Sequence, residues 1–127
     1  VGTKTILIVD DEWIILDVLD ELFTDAGYTT LTAHNGAQAL DLLASTLPDL
    51  ILTDLLMPVV DGFGLCRAVL ANPATQRIPL VLMSAVYELH FSIDFPIAGF
   101  LLKPFQFDPM LRLVAGLIGS PAVAESG

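Results

Sequence analysis

A chain of 127 residues has room for one domain around a single core, and its 54% hydrophobic content excludes a disordered polypeptide. Fifteen acidic residues against five basic ones, a net charge of −10, lack the clustered Lys and Arg of a nucleic-acid surface and favour a cation or a basic protein partner. Cys66 is the single cysteine, no apolar run reaches the ~20 residues of a membrane span, and no basic signal region opens the chain, so a soluble, cytoplasmic protein without disulfides or membrane contact is expected.

Short apolar strands alternate with amphipathic stretches along the chain. KTILIVD, from Lys4, reads as a first strand. The helix that follows spaces Trp13, Leu16, Leu19 or Asp20, and Phe23 near the helical period, with Gly27 as its C-cap. YTTLTAH is rich in β-formers, and NGAQALDLLASTL reads as a helix closed off by Pro48. DLILTDL is a nearly all-apolar strand. DGFGLCRAVLA is a helix ending near Asn72-Pro73, and Asp61 is placed to cap it. PLVLMSA and GFLL are the last two strands, and DPMLRLVAGLIG is a helix with Pro109 in its first turn. Residues 1–119 read as one domain, and 120–127 as a flexible tail or linker.

Strands this apolar are buried on both faces, which implies a parallel sheet covered by helices. Repeated β-α units with right-handed crossovers give a three-layer, doubly wound α/β domain with five parallel strands. In such sheets ligands bind beyond the carboxyl ends of the strands. Asp10 and Asp11 end the first strand, Asp54 the third and Ser84 the fourth, and Lys103 follows the fifth, so all five project toward one edge.

Asp10, Asp11 and Asp54 offer hard oxygen ligands suited to Mg²⁺ or Mn²⁺. Asp11 also stands where it could cap the first helix, a role compatible with a metal. A Lys, a small hydroxyl and a divalent cation together form a phosphoryl-binding set. Asp54 can then act as nucleophile. Leu56 stands two positions later, where a metal-dependent phosphohydrolase would carry a second acid, so that reading fits poorly. A flavin or nucleotide binder fits worse, because Asp10-Asp11-Glu12 replaces a Gly-rich anion cradle and repels phosphate.

VDDE after the first strand, DLLMPVVDG at the third, SA at the fourth and FLLKPF at the fifth resemble the receiver domain of two-component response regulators, from about Ile6 to about Ile118. The resemblance implies the flavodoxin-like strand order 2-1-3-4-5. It implies that Asp54 accepts a phosphoryl group from a histidine kinase or a histidine phosphotransfer protein. Asp11 would bind Mg²⁺ directly, Asp10 through water, and the Leu56 backbone carbonyl would be a further ligand. Lys103 would pair with the phosphoryl group, and the Lys103–Pro104 bond would be cis. Ser84 and Phe100 match the family's switch pair, and a downstream effector or a homodimer would read the switch. The bland alternative for Phe100 is a core aromatic. His34 and His90 are read as surface or satisfied histidines, and Cys66 as a helix core residue. The rival function is a receiver-like interaction module not switched by phosphate. The chain would be a free-standing receiver or a piece of a longer regulator.

One segment departs from the family pattern. Ser84 and Lys103 are nineteen steps apart, short by roughly one turn of the fourth helix. YELHFSIDF alternates apolar and polar residues, which is strand periodicity, and Pro96 disfavours helix at Phe95. A rival helical reading groups Val86, Leu89, Ile93 and Ile97 on one face and exposes Tyr87, Phe91 and Phe95. A shortened, distorted or non-helical element is expected, with an atypical partner or self-association surface beside the fifth strand.

Overall fold

Ile6, Leu7, Ile8 and Val9 have no exposed surface, and burial on both faces of one strand demands a layer of helices on each side. In the computed structural model, which describes residues 3–120, they belong to β1 (Thr5–Val9). The other strands are β2 (Thr29–Ala33), β3 (Leu50–Asp54), β4 (Leu80–Ser84) and β5 (Gly99–Leu102). All pair in parallel, in the order β2-β1-β3-β4-β5. The helices are α1 (Trp13–Asp25), α2 (Gly36–Leu43), α3 (Gly62–Ala71) and α4 (Phe107–Ile118). The expected tail at 120–127 lies, from residue 121 on, outside the described residues.

The two-residue alternation of the strands divides the core. Ile6, Ile8, Leu50, Leu52, Val81 and Met83 pack with Leu16, Leu19 and Phe23 of α1 and Met110 and Val114 of α4. Leu7, Val9, Ile51, Leu80 and Leu82 pack with Ala39 and Leu43 of α2 and Leu65, Cys66 and Val69 of α3. Cys66 is therefore core, as expected, and burial pushes its thiol up to about 12, which keeps it unreactive.

Three local expectations need correction. Trp13 is 62% exposed and does not share the buried stripe of α1, because the helix begins there, at the rim of the sheet. Asp11 is not the cap of α1. Glu12 holds the N-cap position and makes no side-chain bond to the helix. α2 stops at Leu43, well before Pro48, and backbone turns at Ala44, Ser45 and Thr46 finish it. Asp61 does cap α3, accepting the Gly64 N–H at 2.8 Å.

The segment between β4 and β5 is not a strand. Tyr87–Ser92 forms a 3₁₀ helix of six residues with no buried member. The expected shortening holds, but the alternation in YELHFSIDF does not make a strand. Leu89, Ile93, Phe95 and Ile97 rest on the core face shared with α3, whereas Tyr87 and Phe91 are exposed. Phe95 is drawn in by the Arg67 guanidinium, 5.4 Å from its ring centre.

Two glycines let loops close onto the end of β3. A side chain at Gly62 would meet the Asp54 carbonyl oxygen at 2.3 Å, and one at Gly36 would meet Val60 at 2.6 Å. Gly62 N–H donates to the Leu55 carbonyl and Gly36 N–H to the Val60 carbonyl, each at 2.8 Å. Between these anchors Val59 is held at φ 71°, a left-handed conformation that costs a β-branched residue energy.

Candidate functional site

Register brings the expected residues to one rim. Asp54 pairs with Met83, so Ser84 lies one residue beyond it on the neighbouring strand. Leu55 N–H donates to the Met83 carbonyl at 3.0 Å, and Lys103 N–H to the Ser84 carbonyl at 2.8 Å. The ends of β3, β4 and β5 are thus stitched together, and the Lys103–Pro104 bond beyond them is cis.

The acids occupy distinct environments. Asp10 is fully buried; its Oδ1 accepts the Glu12 N–H at 2.9 Å and its Oδ2 accepts from Lys103 Nζ at 2.7 Å. Asp54 is 7% exposed; its Oδ1 accepts the Leu55 N–H at 2.9 Å, and Lys103 Nζ lies 3.4 Å from its Oδ2. One oxygen each from Asp10, Asp11 and Asp54 lie within 4.8 Å of one another, and Asp11 is the most open of the three.

Burial is the larger influence on Asp54, raising its carboxyl to about 6; Lys103 pulls the other way and Asp10 adds to the rise. Burial also works against the Lys103 ammonium, but the hydrogen bond to Asp10 and the charges of Asp54 and Asp10 outweigh it and raise its pKa. A single ammonium faces four carboxylates here, so the rim has an excess of negative charge and a donor set of hard oxygens. Those are the requirements for a small divalent cation, and the residues fit one.

Two features were not legible beforehand. Glu12, part of the acidic run but given no role, places Oε1 3.4 Å from Lys103 Nζ. His34 lies with its ring centre 3.5 Å from that of Trp13; it is half-buried, and its Nδ1 is buried without a protein partner, so that nitrogen is not satisfied. Glu12 could have been suspected from its neighbours, whereas the tilted Trp13–His34 contact joins the end of β2 to α1 and left no local signal. The remaining expected residues take separate places. Ser84 is buried and its hydroxyl bonds Val86. The Leu56 side chain is 52% exposed at the rim, and Phe100 is half-buried on β5.

This fold with this rim defines a receiver-type signalling domain. The response regulator receiver domain family matches residues 6–115, and the chain belongs to that family. It is 37% identical over 108 residues to sporulation initiation phosphotransferase F of Bacillus subtilis, covering 83% of this chain and 86% of that protein. It is 34% identical over 116 residues to the DNA-binding dual master transcriptional regulator RpaA of Synechocystis, covering 89% of this chain but 48% of that one. The chain spans about half the length of several such regulators. Among solved structures, the response regulator TrrA of Thermotoga maritima in complex with Mg²⁺-BeF superposes with a TM-score of 0.82 at 29% identity, over 90% of this chain and 98% of that one. The receiver domain of a sensor histidine kinase from Pseudomonas aeruginosa, with a magnesium ion in its cleft, gives 0.85 at 26% identity, over 94% and 100%. Among the described residues no helix is long and apolar enough to cross a membrane.

Proposed function

We propose that this domain is a phosphorylation-dependent switch of a two-component phosphorelay, in which Asp54 takes a phosphoryl group from a phosphohistidine of a histidine kinase or phosphotransfer protein. The observation that carries this reading is the buried Asp54 carboxylate, 3.4 Å from the Lys103 ammonium and grouped with Asp10 and Asp11. In the transfer, an Asp54 oxygen forms the new P–O bond while the P–N bond to the donor imidazole breaks, and that nitrogen leaves with a proton. With a carboxyl near 6, Asp54 is ionised at neutral pH and more basic than an ordinary carboxylate, which suits a nucleophile. Leu55 N–H fixes its plane. The Lys103 ammonium is positioned to meet charge on the phosphoryl oxygens without reorganisation.

Asp10, Asp11 and Asp54, with the Leu56 carbonyl, would hold Mg²⁺, with Mn²⁺ an alternative of the same ligand preference. Bound there, the cation supplies the positive charge that lets an anionic phosphoryl group approach an anionic rim. Ser84 contributes an O–H donor, and Phe100 is the aromatic that answers its movement. The test is incubation with a small phosphodonor and Mg²⁺, followed by intact mass. One added phosphoryl group in the wild type, absent in Asp54→Asn and without Mg²⁺, is the expected result. No addition would favour the rival, an interaction module indifferent to phosphate.

A further inference from the structure

The 3₁₀ helix Tyr87–Ser92 carries three linked rings, Tyr87, His90 and Phe91, which meet Phe100 of β5. His90 is the common member: its ring centre is 6.0 Å from Tyr87 in a stack, 5.7 Å from Phe91, and 5.0 Å from Phe100 of β5 in a T-shaped contact. Tyr87 and Phe91 also meet edge to face at 5.6 Å. Rings stacked or meeting edge to face attract one another beyond the area they bury.

Apart from Leu89, which rests on the core face shared with α3, what secures this helix is slight. None of its residues is buried, and its end bonds are long, Leu89 N–H to the Val86 carbonyl at 3.2 Å and Ile93 N–H to the His90 carbonyl at 3.4 Å. Behind it the Arg67–Asp94 ion pair, at 2.9 Å, has both side chains more than half exposed, and exposed pairs of this kind contribute little. In front of it stands Ser84. Its Oγ accepts the Val86 N–H at 3.0 Å and donates to the Val86 carbonyl at 3.3 Å, and Val86 is the N-cap residue. A 3₁₀ helix this short has little stability of its own.

Ser84 has one O–H to donate. A phosphoryl group on Asp54, one residue away across the strand pair, is a charged acceptor, and hydrogen bonds to charged acceptors are roughly twice as strong as neutral ones. The O–H cannot serve both partners. Resting on the phosphoacceptor reading above, we propose that His90 is the positioning residue that couples Ser84 to Phe100. When Oγ itself swings toward the phosphoryl oxygens, its bond to the Val86 carbonyl is given up and the bond from the Val86 N–H is drawn out, the short helix loosens, and His90 withdraws from Phe100 at the open edge of the sheet. An element anchored this lightly is one that a single hydrogen bond can bias.

His34 and His90 are the only histidines, so their ring protons are readily assigned by NMR with a His34→Gln control. The full chain is treated with a small phosphodonor and Mg²⁺ while intact mass follows the modification. The expected result is that the His90 signals, displaced at rest by the neighbouring ring currents, shift toward free imidazole as the mass rises, with no shift in Asp54→Asn. His90→Ala is expected to take up the phosphoryl group as the wild type does but to lose the accompanying shift of the Phe100 ring signals. His90→Phe, which keeps a ring there, restores it. Full modification by mass with unmoved His90 signals would overturn the coupling while leaving the phosphoacceptor reading intact. So would a Phe100 response that survives in His90→Ala. No mass gain at all would overturn both.

Discussion

The Lys103 ammonium rests 2.7 Å from Asp10 Oδ2 across 93 positions of sequence, one group a tenth exposed and the other wholly buried. Removing one member of a buried pair leaves an uncompensated charge, which typically costs about 3–5 kcal/mol. Lys103→Met is therefore expected to lose roughly 3 kcal/mol of stability in urea unfolding without Mg²⁺. Saturating Mg²⁺ should return part of that loss by supplying another cation to the same carboxylates. An unchanged urea midpoint would show that Asp10 does not depend on Lys103.

The Asp54 carboxyl, raised from 3.8 to about 6, makes stability fall with pH. The folded state holds this proton more tightly than the unfolded chain, so it carries more protons between about pH 4 and pH 6. Raising the pH through that window removes stability, on the order of 3 kcal/mol when complete. Asp54→Asn lacks the group and is expected to match the wild type near pH 4 and exceed it at pH 7.5. Denaturant melts of both proteins across that range, without Mg²⁺, check the sign, and parallel curves would refute it.

Mg²⁺ should stabilise the domain by relieving repulsion among Asp10, Asp11 and Asp54, by about 2.7 kcal/mol at a hundred times its dissociation constant. Trp13, the single tryptophan, stands two residues from Asp11 and against His34, so its fluorescence should follow the titration. Asp11→Ala is expected to abolish both the rise in melting temperature and the fluorescence change. Equal responses from the two proteins would place the cation elsewhere.

Apolar neighbours should lengthen the life of the phosphorylated form. Leu56 and Val86, two residues beyond Asp54 and Ser84, are 52% and 39% exposed, so they line the approach of water but cannot orient it. Leu56→Asn supplies a donor and acceptor at that position, and a several-fold faster decay is expected. A decay time course in which the variant is no quicker would dismiss the shielding.

Val59 is 81% exposed and held at φ 71°, so its side chain contributes strain without compensating burial. Val59→Gly relieves the strain but adds freedom to the unfolded chain, and a net gain of about 1 kcal/mol is expected. A loss of stability in urea melts would mean that Val59 holds the loop through contacts stronger than the strain.

The sequence by itself determined the layered parallel sheet and the five groups at its rim, because both follow from local rules. Near-continuous apolar runs such as Leu50–Leu52 can be satisfied only by burial on two faces, and polar residues at strand ends must emerge at one edge. Tertiary structure alone decided how those groups are paired. That Asp10 rather than Asp54 takes the short contact with Lys103, and that Glu12 joins them, depends on chain crossings between residues more than ninety positions apart. It also decided the fate of YELHFSIDF, whose alternation promised a strand. Beyond β4, Ser84 fastens Val86, and Leu89 and Ile93 find the core face of α3, so a short helix satisfies more groups than an unpaired strand could. Periodicity records which residues avoid water, and only the neighbours brought by the fold determine the backbone shape that hides them.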